Sequence, residues 1–319
     1  MVNKLVTIRN PETTYTQQVE LSDTPMVYVS LPVTNESGKK VARVDGLFVL
    51  SDEAIKDARI GILRAVIATL FIVLVSVAMI YPVMVRLFFQ ISRLTKDLLH
   101  SNLEILQVLG SAIAKRDSDT DAHNYRVTLF SVALAERVGL PEQDMRPLIK
   151  GAFLHDVGKI GIRDEILLKS GKLDADEFEI MKTHATHGLD IIGRSKWLED
   201  ARDIVGGHQE RYDGNGYCNG LKAGKIPLGA RIFAIADVFD ALTSKRPYKE
   251  PFSLDKSMEI LREGDGTHFD SKLLDAFLEI APELYENLSG IENDKIKQIL
   301  AEVIDRYFYQ EINQVLQSV

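Results

Sequence analysis

The chain has a single cysteine, Cys218, in 319 residues. That excludes an intrachain disulfide and is compatible with a catalytic part in a reducing cytosol. Basic residues are not in excess: 38 Lys and Arg stand against 46 Asp and Glu, a net charge of -8. This balance argues against a nucleic-acid partner recognised by broad electrostatics, although a local basic pocket remains compatible with it. Residues 1–58 hold no apolar segment of the signal-peptide kind.

What is present begins with one apolar run, Ala65 to Val85, "AVIATLFIVLVSVAMIYPVMV", which no charge interrupts. As a helix it spans a hydrocarbon layer about 30 Å thick. A buried core helix is the competing reading, but a soluble helix has no need of such unbroken apolar length. Residues 59–86 are therefore read as one transmembrane helix. Lys56, Arg59 and Arg64 flank one end, and Arg86, Arg93 and Lys96 the other, so charge does not set its orientation. Upstream, "MVYVSLPV" and "KKVARVDGLFVL" read as two strands around a polar turn. Residues 1–58 are expected to be the C-terminal part of a larger extracytoplasmic sensor. Downstream, Leu87, Ile91, Leu94 and Leu98 are spaced by alternating steps of four and three, and Ile105 and Leu109 resume the phase. Residues 87–112 thus read as a signalling helix forming a parallel homodimer; packing on its own domain is the alternative.

Beyond it the periodicity is helical. "YRVTLFSVALAERVGL" reads as a helix closed at Gly139. "LDADEFEIMKTHATHG" starts with the capping pair Asp174 and Glu177 and is expected to stop at Gly188. The prediction is an all-α domain over 113–289, followed by a C-terminal helix over 290–319.

Within this pattern several polar residues stand out. "FLHDVGKIGI" places His155 and Asp156 where an apolar helix ends. His184 lies on a helix, His208 opens the glycine-rich run "GHQERYDGNGYCNG", and Asp237 interrupts the apolar helix "AIADVFDAL". Imidazole nitrogens and a bridging carboxylate suit two neighbouring divalent ions, and a buried Asp needs a partner or a metal. A lone His is nevertheless more often a hydrogen-bonded structural residue, and these loose intervals do not decide between the two.

The local contexts say more. "LHDVGKIGI", "MKTH", "HQERYDGNGY", "IPLGARIFAIADVFDALTSKRPYK" and "GDGTHFD" occur in this order. Together they resemble the HD-GYP family, HD-superfamily phosphohydrolases of bacteria that hydrolyse cyclic di-GMP, over roughly Ile113 to Leu278. The resemblance implies an all-α HD/HD-GYP metallohydrolase fold and two or three divalent ions, iron or manganese. It implies core metal ligands at His155, Asp156, His184, His208 and Asp237, with Asp119 and His123 as a further pair toward a third ion. Asp119 stands where a longer Glu is usual in the family. Lys159, Tyr217, Asp240, Arg246 and Lys249 fall on substrate-contacting positions, and Asp156 and Lys159 on catalytic ones.

Two departures are visible. Gln209 stands where the family places a second ligand His, and an amide oxygen is the weaker ligand. Cys218 replaces the Pro of Gly-Tyr-Pro, which relaxes the loop without removing side-chain chemistry. His187 and His268 lie outside the implied ligand set, the latter as a loop stabiliser. The activity implied is phosphodiester hydrolysis of cyclic di-GMP to pGpG or GMP by a single-pass protein of the bacterial inner membrane with a cytosolic catalytic domain. The alternatives are a membrane-tethered cyclic di-GMP sensor weakened by Gln209, and a hydrolase of another cyclic dinucleotide.

Overall fold

The computed structural model describes residues 13–21, 24–49, 51–117, 121–245, 250–310 and 312–313. It divides into two compact units, residues 1–87 and 88–319.

The first unit carries an antiparallel sheet of order β1-β2-β3: β1 (Tyr15–Leu21), β2 (Thr24–Thr34) and β3 (Lys40–Val49). Two of these were expected. β1, "YTQQVEL", escaped because its polar composition carries no strand signal, yet it pairs with β2 from Tyr15 opposite Ser30 to Leu21 opposite Thr24. The β2–β3 turn is tied by the Asn35 side chain, which accepts from the Ser37 and Lys39 amides, with Gly38 at φ +74°.

α1 (Asp52–Arg116) runs unbroken for 65 residues through the apolar stretch and into the second unit. Its most apolar 18-residue window has a mean hydropathy of 2.6, so it is long and apolar enough to cross a membrane. Thr69 and Ser76 return their hydroxyl protons to the carbonyls of Ala65 and Ile72, which satisfies them inside the apolar run.

The second unit is helical. The last turns of α1 bury Leu103, Leu106, Gly110 and Ile113, while Ile91, Leu94, Leu98 and Ile105 stay exposed. At 3.6 residues per turn the two stripes lie roughly 120° apart around the helix. The stripe that packs on the domain is therefore distinct from the exposed part of the heptad stripe, while Leu109 of the latter packs partly against the core. α2 (Asp121–Arg137), α3 (Glu142–Leu154), α4 (Asp164–Leu167), α5 (Ala175–Ile192), α6 (Arg202–Gly207) and α7 (Leu228–Thr243) follow. α8 (Leu254–Glu263), α9 (Ser271–Leu288) and α10 (Asn293–Ile304) complete the set, and α10 continues into a π-helical turn, Asp305–Tyr309. One core joins them, with Phe233, Phe239 and Phe277 fully buried and Leu300 and Phe308 of the C-terminal segment packed into it.

Helix ends follow their residues. Gly139, at φ +71°, closes the α2 segment, and Asp174 and Glu177 form a reciprocal capping box on α5. Gly188 does not end α5, contrary to expectation. It lies inside the helix, where a Cβ would come within 2.7 Å of Val205. Its role is the close approach of α6, not termination.

Candidate metal centre

Five helices converge here, α3 and α6 by their C-terminal ends, α2 by its first turn, and α5 and α7 by their middles. α3 stops at Leu154; His155 keeps helical dihedrals, and Asp156 turns to φ -97°, ψ 8° before a 3-10 turn, Val157–Gly161. That break is what lets two consecutive side chains face one point. The turn is pressed against α5: a Cβ on Gly158 would lie 1.8 Å from the His184 carbonyl oxygen, so only glycine fits.

His123 comes from α2, His184 from α5, His208 from the end of α6 and Asp237 from α7. Their ligand-type atoms gather into two sets, His123, His155 and Asp237, and Asp156, His184 and His208, each within 4.8 Å internally. Asp156 joins the sets. Its Oδ2 is 3.0 Å from His155 Nε2, and its Oδ1 is 3.5 and 3.8 Å from the Nε2 atoms of His184 and His208.

The tautomers are fixed by neighbours that only accept. Nδ1 of His155, His184 and His208 donates to the carbonyls of Ala152, Met181 and Val205, each three residues back, at 2.8–2.9 Å. Nδ1 of His123 donates to Asp240 at 2.7 Å. Every Nε2 is thereby presented to the site. Burial pushes His208 down to about 3, with the His155 charge adding to it, and burial likewise lowers His184. Both rings are neutral, so two Nε2 lone pairs meet at 3.1 Å. Asp156 Oδ1 is buried beside them without a hydrogen-bond partner. Converging lone pairs and an orphaned carboxylate oxygen fit a cation. Asp156 sits well below the usual carboxylate range: burial opposes this, and the charges of Lys159 and His155 outweigh it. For His155, burial is likewise outweighed, here by Asp156, and the ring is raised to about 9.

Of the other expected residues, Lys159 lies in the site, its ammonium 2.7 Å from Asp156 Oδ2 and also bonded to Asp117. Tyr217 stands edge-on to the His184 ring at 6.1 Å between centroids. Its hydroxyl is pushed up to about 12 by burial and by the Asp156 charge. Gly216 brings it there, since a Cβ would strike the Arg211 amide at 2.3 Å. Asp119, Arg246 and Lys249 lie outside the described residues.

Asp240 is a correction. It is 1% exposed, and its oxygens accept from Arg126 Nε at 2.5 Å and Nη2 at 3.1 Å, from His123 Nδ1 and from Ser244. It has no face for a substrate; it orients His123. Burial would raise its carboxyl, but the His123 and Arg126 bonds hold it at about 2.

Sequence reasoning missed Arg126, Glu210, Arg116 and Asp117. Glu210, 2% exposed, accepts from the Asn219 and Leu221 amides and so fastens the glycine loop. Only its acidity within an otherwise Gly-rich run could have signalled it. His268 is the loop residue expected: its carbonyl accepts from Tyr212, and its ring stacks on Phe269 at 4.3 Å. The Cys218 sulfur lies 3.6 Å from the Thr186 hydroxyl.

A helical domain that gathers two His/Asp sets joined by one carboxylate offers donors that could hold divalent metal ions. The chain belongs to the HD-domain family, whose model matches residues 107–273, and within it to the HD-GYP group. It is 42% identical over 202 residues to the 3′3′-cGAMP-specific phosphodiesterase 2 of Vibrio cholerae, covering 63% of this chain and 39% of that protein. It is 41% identical over 183 residues to a cyclic di-GMP phosphodiesterase of Thermotoga maritima, covering 57% and 50%. To the cyclic di-GMP phosphodiesterase response regulator RpfG of Xanthomonas campestris it is 44% identical over 177 residues, covering 55% and 47%. The alignments span half or less of each relative's length.

Proposed function

We propose that the chain hydrolyses cyclic di-GMP with two divalent ions, iron or manganese, at this centre. The observation that carries the reading is the pair of ligand sets joined by Asp156, with four histidines presenting Nε2. Its relatives support the substrate class by their names. His123, His155 and Asp237 would hold one ion, and His184 and His208 the other, with Asp156 shared. Ions held there supply Lewis acidity and an acidified water for attack on phosphorus.

The chain's own residues do the rest. Lys159 meets negative charge on the phosphoryl oxygens beside Asp156. Tyr217, on its glycine-supported loop, walls the site next to His184 and offers a protonated hydroxyl. Arg246 and Lys249 would hold the distal parts of the dinucleotide through phosphate. A second substrate, 3′3′-cGAMP, is favoured by the relative aligned over 63% of the chain. The chain would sit in the bacterial inner membrane through α1, with the helical domain in the cytosol. The exposed stripe of Ile91, Leu94, Leu98 and Ile105 supports a parallel homodimer along α1.

The test uses the full chain in detergent micelles, loaded with Fe(II) or Mn(II) without oxygen and given each dinucleotide separately. Linear pGpG or GMP is expected from cyclic di-GMP, and Asp156→Ala should lose at least about a thousandfold in kcat. Tight binding without product under either metal would replace the enzyme with a sensor.

A further inference from the structure

The last turn of α1 reaches the site itself. Arg116, the final residue of that helix, donates from Nη1 to the carbonyls of Lys159 at 2.9 Å and Ile160 at 2.5 Å. From Nη2 it donates to the carbonyl of Ile162 at 2.6 Å and the carboxylate of Asp164 at 2.8 Å. One guanidinium thus ties together three carbonyls at the end of the 3-10 turn that follows Asp156, of which that of Lys159 also accepts from the Ile162 amide. The next residue, Asp117, binds the Lys159 ammonium, whose other partner is Asp156. Gly110, Ile113, Ala114 and Asp117 of this segment also line a small cavity shared with His123 and Asp156.

The turn is therefore held from two sides. On one it is fixed to α5 by the close approach at Gly158, which leaves no room for slippage. On the other it is held by Arg116 and, through Lys159, by Asp117. We propose that Arg116 and Asp117 form a latch that positions Lys159, so that the helix carrying the apolar stretch is coupled to the chemistry at these two residues. They act through Lys159 and are positioning residues. The latch as a structural device stands on its own contacts; its consequence for turnover rests on the proposed phosphodiesterase reading.

Hydrogen exchange and kinetics on the full chain in detergent micelles test the two parts separately. Arg116→Ala should speed exchange of the 157–164 amides by about tenfold or more, with the core amides of α7 unchanged as the fold control. Arg116→Lys, a point charge without the fork, should restore only part of that protection. Asp117→Asn, nearly isosteric, should lower kcat about tenfold with KM within about twofold and bound metal unchanged. Unchanged exchange at 157–164 in Arg116→Ala overturns the latch, whatever the turnover. A rise in KM at constant kcat in Asp117→Asn overturns the positioning role. Altered exchange in a protein that cleaves no cyclic dinucleotide supports the latch and sinks the phosphodiesterase reading alone.

Discussion

Replacing Asp240 by alanine should damage this protein in two measurable ways at once. Asp240 is 1% exposed and accepts four hydrogen bonds, two from the guanidinium of Arg126, itself only 16% exposed in its side chain. Truncation leaves that guanidinium buried and unpaired. Breaking a buried charge pair from one side costs about 3–5 kcal/mol, and the loss should fall in that range. Asparagine should recover little, because its amide must turn one donor group toward Arg126 or His123, both of which donate. The second effect is local to one ligand set. Without Asp240 nothing holds the His123 proton on Nδ1, and losing such a partner typically costs 10–100-fold in metal affinity. The set of His123, His155 and Asp237 should weaken, while the set of Asp156, His184 and His208 keeps its carbonyl-fixed tautomers. Denaturant unfolding of the metal-free protein reads the first effect. Metal content after dialysis at micromolar free Mn(II) reads the second, and should fall from about two ions per chain toward one. A stability change under about 1 kcal/mol, or equal loss from both sets, would refute this account of Asp240.

Further outcomes follow from single contacts. Gly158→Ala places a Cβ 1.8 Å from the His184 carbonyl, so the 3-10 turn must move. Melting should show a loss of about 2 kcal/mol or more, with turnover falling further than stability explains. Glu210→Ala strands the Asn219 and Leu221 amides. It should cost about 1–3 kcal/mol and expose 214–221 to limited proteolysis; an unchanged cleavage map would show that the carboxylate does not fasten the loop. His268 is held down to about 4, by burial first and by the Arg211 charge second. Its folded value lies below its unfolded one, so its contribution is full above pH 6.5 and is lost as pH falls toward 4. Against His268→Asn, the wild type should lose about 3 kcal/mol more across that window; parallel pH curves would rule the effect out.

Much of the site's chemistry was readable in one dimension, because it depends on residue types that helices seldom carry without reason. His155 and Asp156 stand where an apolar helix ends, Asp237 interrupts another, His208 opens a glycine-rich run, and the glycines around Tyr217 announce close backbone approach. The capping pair on α5, the glycine closing the α2 segment and the uncharged run in α1 are likewise local signals with local causes. The resemblance placed Asp240 at the substrate; its four acceptor contacts, which no local signal carries, set it behind His123 instead.

The tertiary structure decided which groups face one another. The division of the ligands into two sets, and the bridging place of Asp156, require α2, α3, α5, α6 and α7 to converge, and no spacing along the chain encodes that. It also separated Gly188, which admits α6, from a helix terminator, and gave Arg126, Glu210, Arg116 and Asp117 their roles. These four are ordinary charged residues in composition. Their meaning lies in partners about 10 to 115 positions away, brought close by core packing. The sequence by itself determined what could ligate and which helix could enter a membrane. Packing determined which charges are buried, paired and aimed, because those properties belong to contacts between distant segments and not to the segments themselves.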